Sequence, residues 1–163
     1  MLTVRKATYQ DLPIMQEIFK CAREYMKAHG NPTQWGNTAP PLYLIERDIE
    51  RGASYLVLDE DEPVGTFSFT IGDEPTYQEI KDGAWLNDNP YGAMHRIASN
   101  GKAKGVFEVA YKFCLTFGID IRVDTHENNK TMQNAVTKFG FKYCGIITAE
   151  DGTPRLAFHK IVN

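Results

Sequence analysis

The chain has 163 residues, of which 42% are hydrophobic and 24% charged, with a formal net charge of -3. That length closes one hydrophobic core without metal or disulfide staples, so a single domain over residues 1–163 is expected. Scattered basic residues on a slightly acidic chain give no general attraction to nucleic acid.

The apolar runs are far short of a bilayer span, and the opening MLTVRKATYQDL lacks the charged-then-apolar layout of a leader. The expectation is a cytoplasmic protein with no membrane partner. Cys21, Cys114 and Cys144 are odd in number and widely spaced, which points to buried small hydrophobes rather than a disulfide framework. His29, His95, His126 and His159 have no ligand spacing, and no metal is expected.

In chain order, residues 2–8 alternate apolar and polar as a half-buried strand does. Asp11 then caps a helix with Leu12, Met15, Ile18, Phe19, Ala22 and Met26 on one face, and Gly30 stops it. A loop with Trp35, Pro40 and Pro41 precedes a second amphipathic helix, LYLIERDIERG, ending at Gly52. SYLVLDEDEPVGTFSFTIG reads as a hairpin around the acidic turn from Asp59 to Glu62. Residues 73–92 are irregular and form a candidate substrate wall; Trp35, Trp85, Tyr77 and Tyr91 either pack these loops or meet a substrate. AMHRIAS is a strand, a helix follows from about Lys104 to Gly118, and IDIRVDT is the next strand. Asn128 or Asn129 caps a helix through Phe139, and FKYCGIIT with PRLAFHKI closes the chain as a hairpin around Asp151-Gly152. This order describes an α/β domain with a mixed sheet.

The segment SNGKAKGVF joins a strand to a helix. Its small residues permit close backbone approach, and successive N–H groups at a helix start suit a pyrophosphate. Lys102 and Lys104 add positive charge there or are simply solvated. The spacing fits neither a P-loop nor the dinucleotide fingerprint.

Taken together, these motifs resemble the GNAT family of N-acetyltransferases. In that family a Q/R-x-x-G-x-G/A loop wraps the coenzyme A pyrophosphate, and KAKGVF occupies its place, with Gly105 as the central glycine. Lys102 stands for the usual Gln or Arg, and Phe107 for the final Gly or Ala. VRKATYQDLPIMQEI and PVGTFSF are similar to the family's first strand and helix and its glycine-bearing strand. IRVDTHENNKTMQNAVTKFGFKYCG is similar to its strand-Asn-helix-Gly-Phe-strand segment, with Asn129 as the asparagine and Gly140-Phe141 as the Gly-Phe.

The resemblance implies a single domain with a mixed, mostly antiparallel twisted sheet flanked by helices, and acetyl-coenzyme A as cosubstrate. It also implies direct attack by a small-molecule or peptide amine in a ternary complex. Coenzyme A would be bound by Ile97 and Ala98 at a strand bulge, by Lys102, Ala103, Lys104, Gly105, Val106 and Phe107 at the pyrophosphate, and by Asn129. The family's acid, a tyrosine four residues before Gly-Phe, is replaced here by Val136. Tyr143 is nearby in sequence and reads as structural. His95 and His126 are the candidate bases, since an imidazole near pKa 6.5 takes an ammonium proton at neutral pH. Asp124 shares a strand face with His126 and either orients that ring or recognises a cation. The alternative functions are a coenzyme A-binding sensor or partner module without transfer, and an acyl-carrier or nucleotide-binding protein. The oligomeric state is open, a homodimer included.

Overall fold

The computed structural model describes residues 1–162; Asn163, the last residue of the expected domain, lies outside the described residues. Seven strands form a mixed sheet in the hydrogen-bonded order β1-β2-β3-β4-β5-β7-β6, with four helices α1 to α4. The residues fall into two compact units, Met1–Phe69 with His95–Phe113, and Thr70–Met94 with the chain from Cys114 onward. No helix among the described residues is long and apolar enough to cross a membrane.

In the first unit, β1 (Leu2–Lys6) pairs antiparallel with β2 (Ser54–Asp59), which pairs antiparallel with β3 (Glu62–Ile71). Between β2 and β3, Glu60 and Asp61 both take positive φ, the twist a tight hairpin requires. Alternation along β2 decides what each face meets. Leu56 and Leu58 join Met15, Ile18, Phe19 and Ala22 of α1 (Leu12–Ala28) and Ile45 of α2 (Leu42–Glu50) in one core. Trp35 packs edge-on to Phe19 at 5.6 Å, so it anchors its loop. Tyr55 instead meets Phe67 and Phe113 in an aromatic cluster, with Phe113 supplied by α3 (Val106–Leu115).

The second unit contains the parallel register of β4 (Tyr91–Ser99) with β5 (Asp120–Thr125), from Tyr91↔Asp120 to Met94↔Val123. β5 then pairs antiparallel with β7 (Pro154–Lys160), and β7 with β6 (Lys142–Thr148). α4 spans Lys130–Lys138. Of the two roles open to the aromatic residues of 73–92, the structure shows packing. Tyr77 is 1% exposed in a core with Tyr91, Ala93, Ile147 and Ala157, and Trp85 lies against it. Lys81 forms a β-bridge to Ile146, and a Cβ on Gly83 would meet the Cys144 carbonyl oxygen at 1.9 Å, so the segment is pressed onto β6. Cys114 and Cys144 are buried and Cys21 half-buried, all three as free thiols.

The predicted helix stops Gly30, Gly52, Gly118 and Gly140 all have positive φ. Asp11 behaves differently from expectation. It precedes α1, but its side chain does not cap that helix; it accepts from Thr8 N–H at 2.8 Å and from both Arg5 guanidinium nitrogens at 2.8 and 2.9 Å. These contacts, the Arg5 hydrogen bonds foremost, lower its pKa from 3.8 to about 2. A depressed carboxyl stabilises the fold above its unfolded pKa, and that contribution disappears as pH falls from 3.8 toward about 2. Asp11→Asn is expected to shrink the loss of stability over this window. Urea unfolding of both proteins across the window is the check, and equal slopes would exclude the contribution.

Candidate functional site

The sequence between β4 and α3 builds its turn from short polar side chains. Ser99 Oγ accepts from Gly101 N–H at 3.1 Å, and Asn100 Oδ1 accepts from Lys102 N–H at 2.9 Å, while Asn100 N–H donates to Val64 O. Gly105 then turns the chain with φ +83°, where no heavy atom lies within 4 Å of the position its Cβ would take. Its carbonyl accepts from Val109 N–H at 3.0 Å and opens the helix.

Val106 is buried and Ala103 half-buried, with Lys102 and Lys104 exposed at the turn. Lys102 Nζ lies 3.3 Å from Glu62, and a pair so exposed is easily exchanged for another anion. The Lys102 amide is already engaged by Asn100, so among residues 102–107 it is not offered to a ligand in this conformation. Phe107 tilts against Tyr111 at 5.7 Å along the helix, which keeps its ring out of the turn.

β4 leaves ordinary strand geometry at Arg96, next to the Ile97 position where a bulge is expected. Arg96 has φ +52°, a left-handed conformation that costs a non-glycine residue about 1–3 kcal/mol and persists only when its surroundings hold it. Here Asp48 of α2 accepts from Arg96 Nε at 2.6 Å and from its terminal nitrogen at 2.9 Å. Ile97 is half-buried and Ala98 joins the α1 core. The His95 carbonyl accepts from Ser68 Oγ at 3.1 Å, and the His95 side chain is half-buried. Also in this unit, a cleft of about 190 Å³ is lined by Gln16, Phe19, Arg23, Thr38, Pro40, Leu42 and Ile45.

In the second unit, Asn129 is the helix cap: its Oδ1 accepts from Met132 N–H at 3.0 Å. His126 Nδ1 accepts from Asn128 N–H at 3.0 Å, which fixes the proton of the neutral ring on Nε2. Burial first, and then the charge of Arg155, lowers its pKa below 6.5. Asp124, expected to orient His126 or to recognise a cation, accepts from Tyr77 Oη at 2.6 Å. Burial and this carboxylate hold the tyrosine's pKa well above its usual value. Val136 is fully buried, whereas Tyr143 is half-exposed and packs edge-on to Phe158 at 5.8 Å.

No family model matches the chain, and no curated protein does. Solved structures do. A GNAT-family acetyltransferase from Streptococcus agalactiae superposes with a TM-score of 0.87 at 29% identity, covering 99% of this chain and 96% of its own. The chain has the fold of the GNAT-family acetyltransferases. A GNAT-family acetyltransferase from Listeria monocytogenes gives a TM-score of 0.72 at 20% identity, with 99% and 95% covered. Arabidopsis thaliana Naa50, solved with a bisubstrate analogue CoA-Ac-MVNAL, gives 0.61 at 13% identity, with 98% and 97% covered.

Sequence reasoning missed Arg96, Asp48, Ser68 and the Tyr77–Asp124 pair. No spacing signals a contact between residues 47 or 48 positions apart. A non-glycine residue at a bulge carries no mark in the sequence either.

Two substitutions separate structure from function here. Asn129→Ala is expected to cost about 1 kcal/mol through the lost cap. An equal fall in melting temperature with and without acetyl-coenzyme A assigns the residue to capping, and a larger fall with it adds a ligand contact. Val136→Tyr forces a phenol into a closed position and is expected to destabilise by about 1–3 kcal/mol. Unchanged stability in chemical denaturation would show that the position opens.

Proposed function

We propose that this chain is an acetyl-coenzyme A-dependent N-acetyltransferase acting on a small-molecule or peptide amine. The observation that carries the reading is the open, left-handed Gly105 at the head of α3, which lets a bulky anion approach the backbone at the positive end of the helix. Its surroundings fit coenzyme A: two exposed lysines flank the turn, and the one large side chain in it, Phe107, is drawn along the helix by Tyr111.

When bound, the cosubstrate supplies the activated acetyl thioester. The chain's residues hold and expose it. The turn around Gly105 holds the pyrophosphate, Lys104 and Lys102 neutralise it, and the β4 backbone from His95 to Ala98 receives the pantetheine arm. The small cleft between α1 and α2 suits a short amine-bearing end rather than an extended ligand. The attacking amine must be neutral, and a base must offer a lone pair. The Nδ1 lone pair of neutral His126 accepts from Asn128 N–H, and His95 and His126 are the candidate bases for the proton transfer.

The second reading is a module that binds coenzyme A without transferring an acetyl group. It is favoured by the buried valine at the place of the family's acid. A thiol is a tolerable leaving group with pKa near 8.5, so lack of that acid slows transfer without abolishing it.

Calorimetry with acetyl-coenzyme A, followed by thiol release with an amine library, tests both. Gly105→Val, strained at φ +83°, is expected to weaken binding at least about tenfold, roughly 1.4 kcal/mol. Unchanged affinity in the folded variant overturns the pyrophosphate placement. Binding by the wild type with no thiol release on any amine supports the module.

A further inference from the structure

The left-handed turn of β4 at Arg96 is closed into a ring of side-chain bonds. Arg96 donates through Nε and a terminal nitrogen to the two oxygens of Asp48, at 2.6 and 2.9 Å, and that terminal nitrogen also donates to Ser68 Oγ at 3.3 Å. Ser68 Oγ in turn donates to the carbonyl of His95 at 3.1 Å, one residue upstream of Arg96. The arginine therefore reaches through the hydroxyl back to its own preceding peptide bond. Returning Arg96 from φ +52° to an ordinary strand conformation must break either the carboxylate pair or the hydroxyl–carbonyl bond.

Such an arrangement is a poor device for stability alone. Asp48 and Ser68 are 3% and 2% exposed, and a buried ion pair repays its desolvation only with difficulty, so well-packed apolar residues would serve a purely structural role as well or better. What a two-point ion pair supplies is direction. The hydroxyl occupies the carbonyl of His95, and the guanidinium fixes the next residue, so the backbone that follows leaves the bulge at a set angle.

We propose that Asp48 and Ser68 are positioning residues for the cosubstrate arm, holding the His95–Ala98 backbone in its bulged form through Arg96. This rests on the acetyl-coenzyme A reading above. They touch no ligand and act only through the bulge.

The test uses the full chain and two calorimetric probes: coenzyme A, and 3′-phosphoadenosine 5′-diphosphate, the same molecule without its pantetheine arm. Ser68→Ala and Asp48→Asn are expected to weaken coenzyme A by about tenfold while leaving the nucleotide probe within about twofold. Ser68→Thr, which keeps the hydroxyl, is expected to restore the ratio. Should the half-buried Arg96 without its partner prevent Asp48→Asn from folding, Arg96→Gly takes its place. Glycine adopts φ +52° readily but lacks the guanidinium, so it should show the same selective loss. Equal losses for both probes, or none for either, overturn the positioning role while the acetyl-coenzyme A reading stands. A wild type that binds neither probe overturns that reading and this inference with it.

Discussion

Helix α3 begins against bare backbone. A Cβ on Gly65 of β3 would lie 2.5 Å from Val106 Cγ1 and 3.0 Å from the Ala98 carbonyl oxygen, so only a residue without a side chain lets the first helical residue settle there. That approach fixes where the helix starts. The helix start fixes where its amides point, and Gly105, immediately before it, must then reverse the chain in a left-handed conformation with open space beside it. The side-chain turns at Ser99 and Asn100 follow from the same constraint, because the end of β4 has to reach that fixed point in six residues and finds its hydrogen bonds locally. The geometry of the turn thus descends from a packing contact with Gly65 of the neighbouring strand.

Much of the architecture was legible because local chemistry agrees with it. The sequence pattern located the seven strands and four α-helices, and the glycines at 30, 52, 118 and 140 follow the helix ends where expected. The turn before α3 was legible too, since Gly105 and the flanking lysines lie within a few residues of one another. Less was readable where two distant elements cooperate. Nothing around Arg96 distinguishes it from an ordinary strand arginine until Asp48 is brought beside it. Asp11 read as a helix cap from its place in the sequence, yet Arg5 and Thr8 claim its carboxylate. Asn129 satisfied two readings from sequence, and the structure shows the cap because that bond is local.

The second unit shows how a polar sheet face is made tolerable. Arg122, 5% exposed, lies between the rings of Trp85 and Tyr91 at 4.3 and 3.8 Å and donates to the Asn87 carbonyl. Burial lowers its pKa, and the ring faces supply part of the missing counter-charge. His159, fully buried, accepts from Leu86 N–H through Nδ1 and faces Asp120 at 3.4 Å through Nε2. Tyr77 donates to Asp124. Residues 120, 122 and 124 alternate onto one face of β5, and the 73–92 segment supplies a partner to each of the latter two. Its aromatic residues are there because that face is charged.

The closeness of that cover to β6 also limits how the chain can change. With the Cys144 carbonyl oxygen 1.9 Å from the place of any Cβ on Gly83, even alanine at position 83 would lift the segment, and the Lys81–Ile146 bridge two residues away would open with it. On the other strand, Gly145 meets the Lys81 carbonyl oxygen at 2.6 Å by the same measure. Each glycine makes room for the backbone that the other carries. Insertions and deletions are therefore confined to the stretches on either side of this double seam, and a descendant that altered one glycine would have to rebuild the whole cover before the second became free to vary.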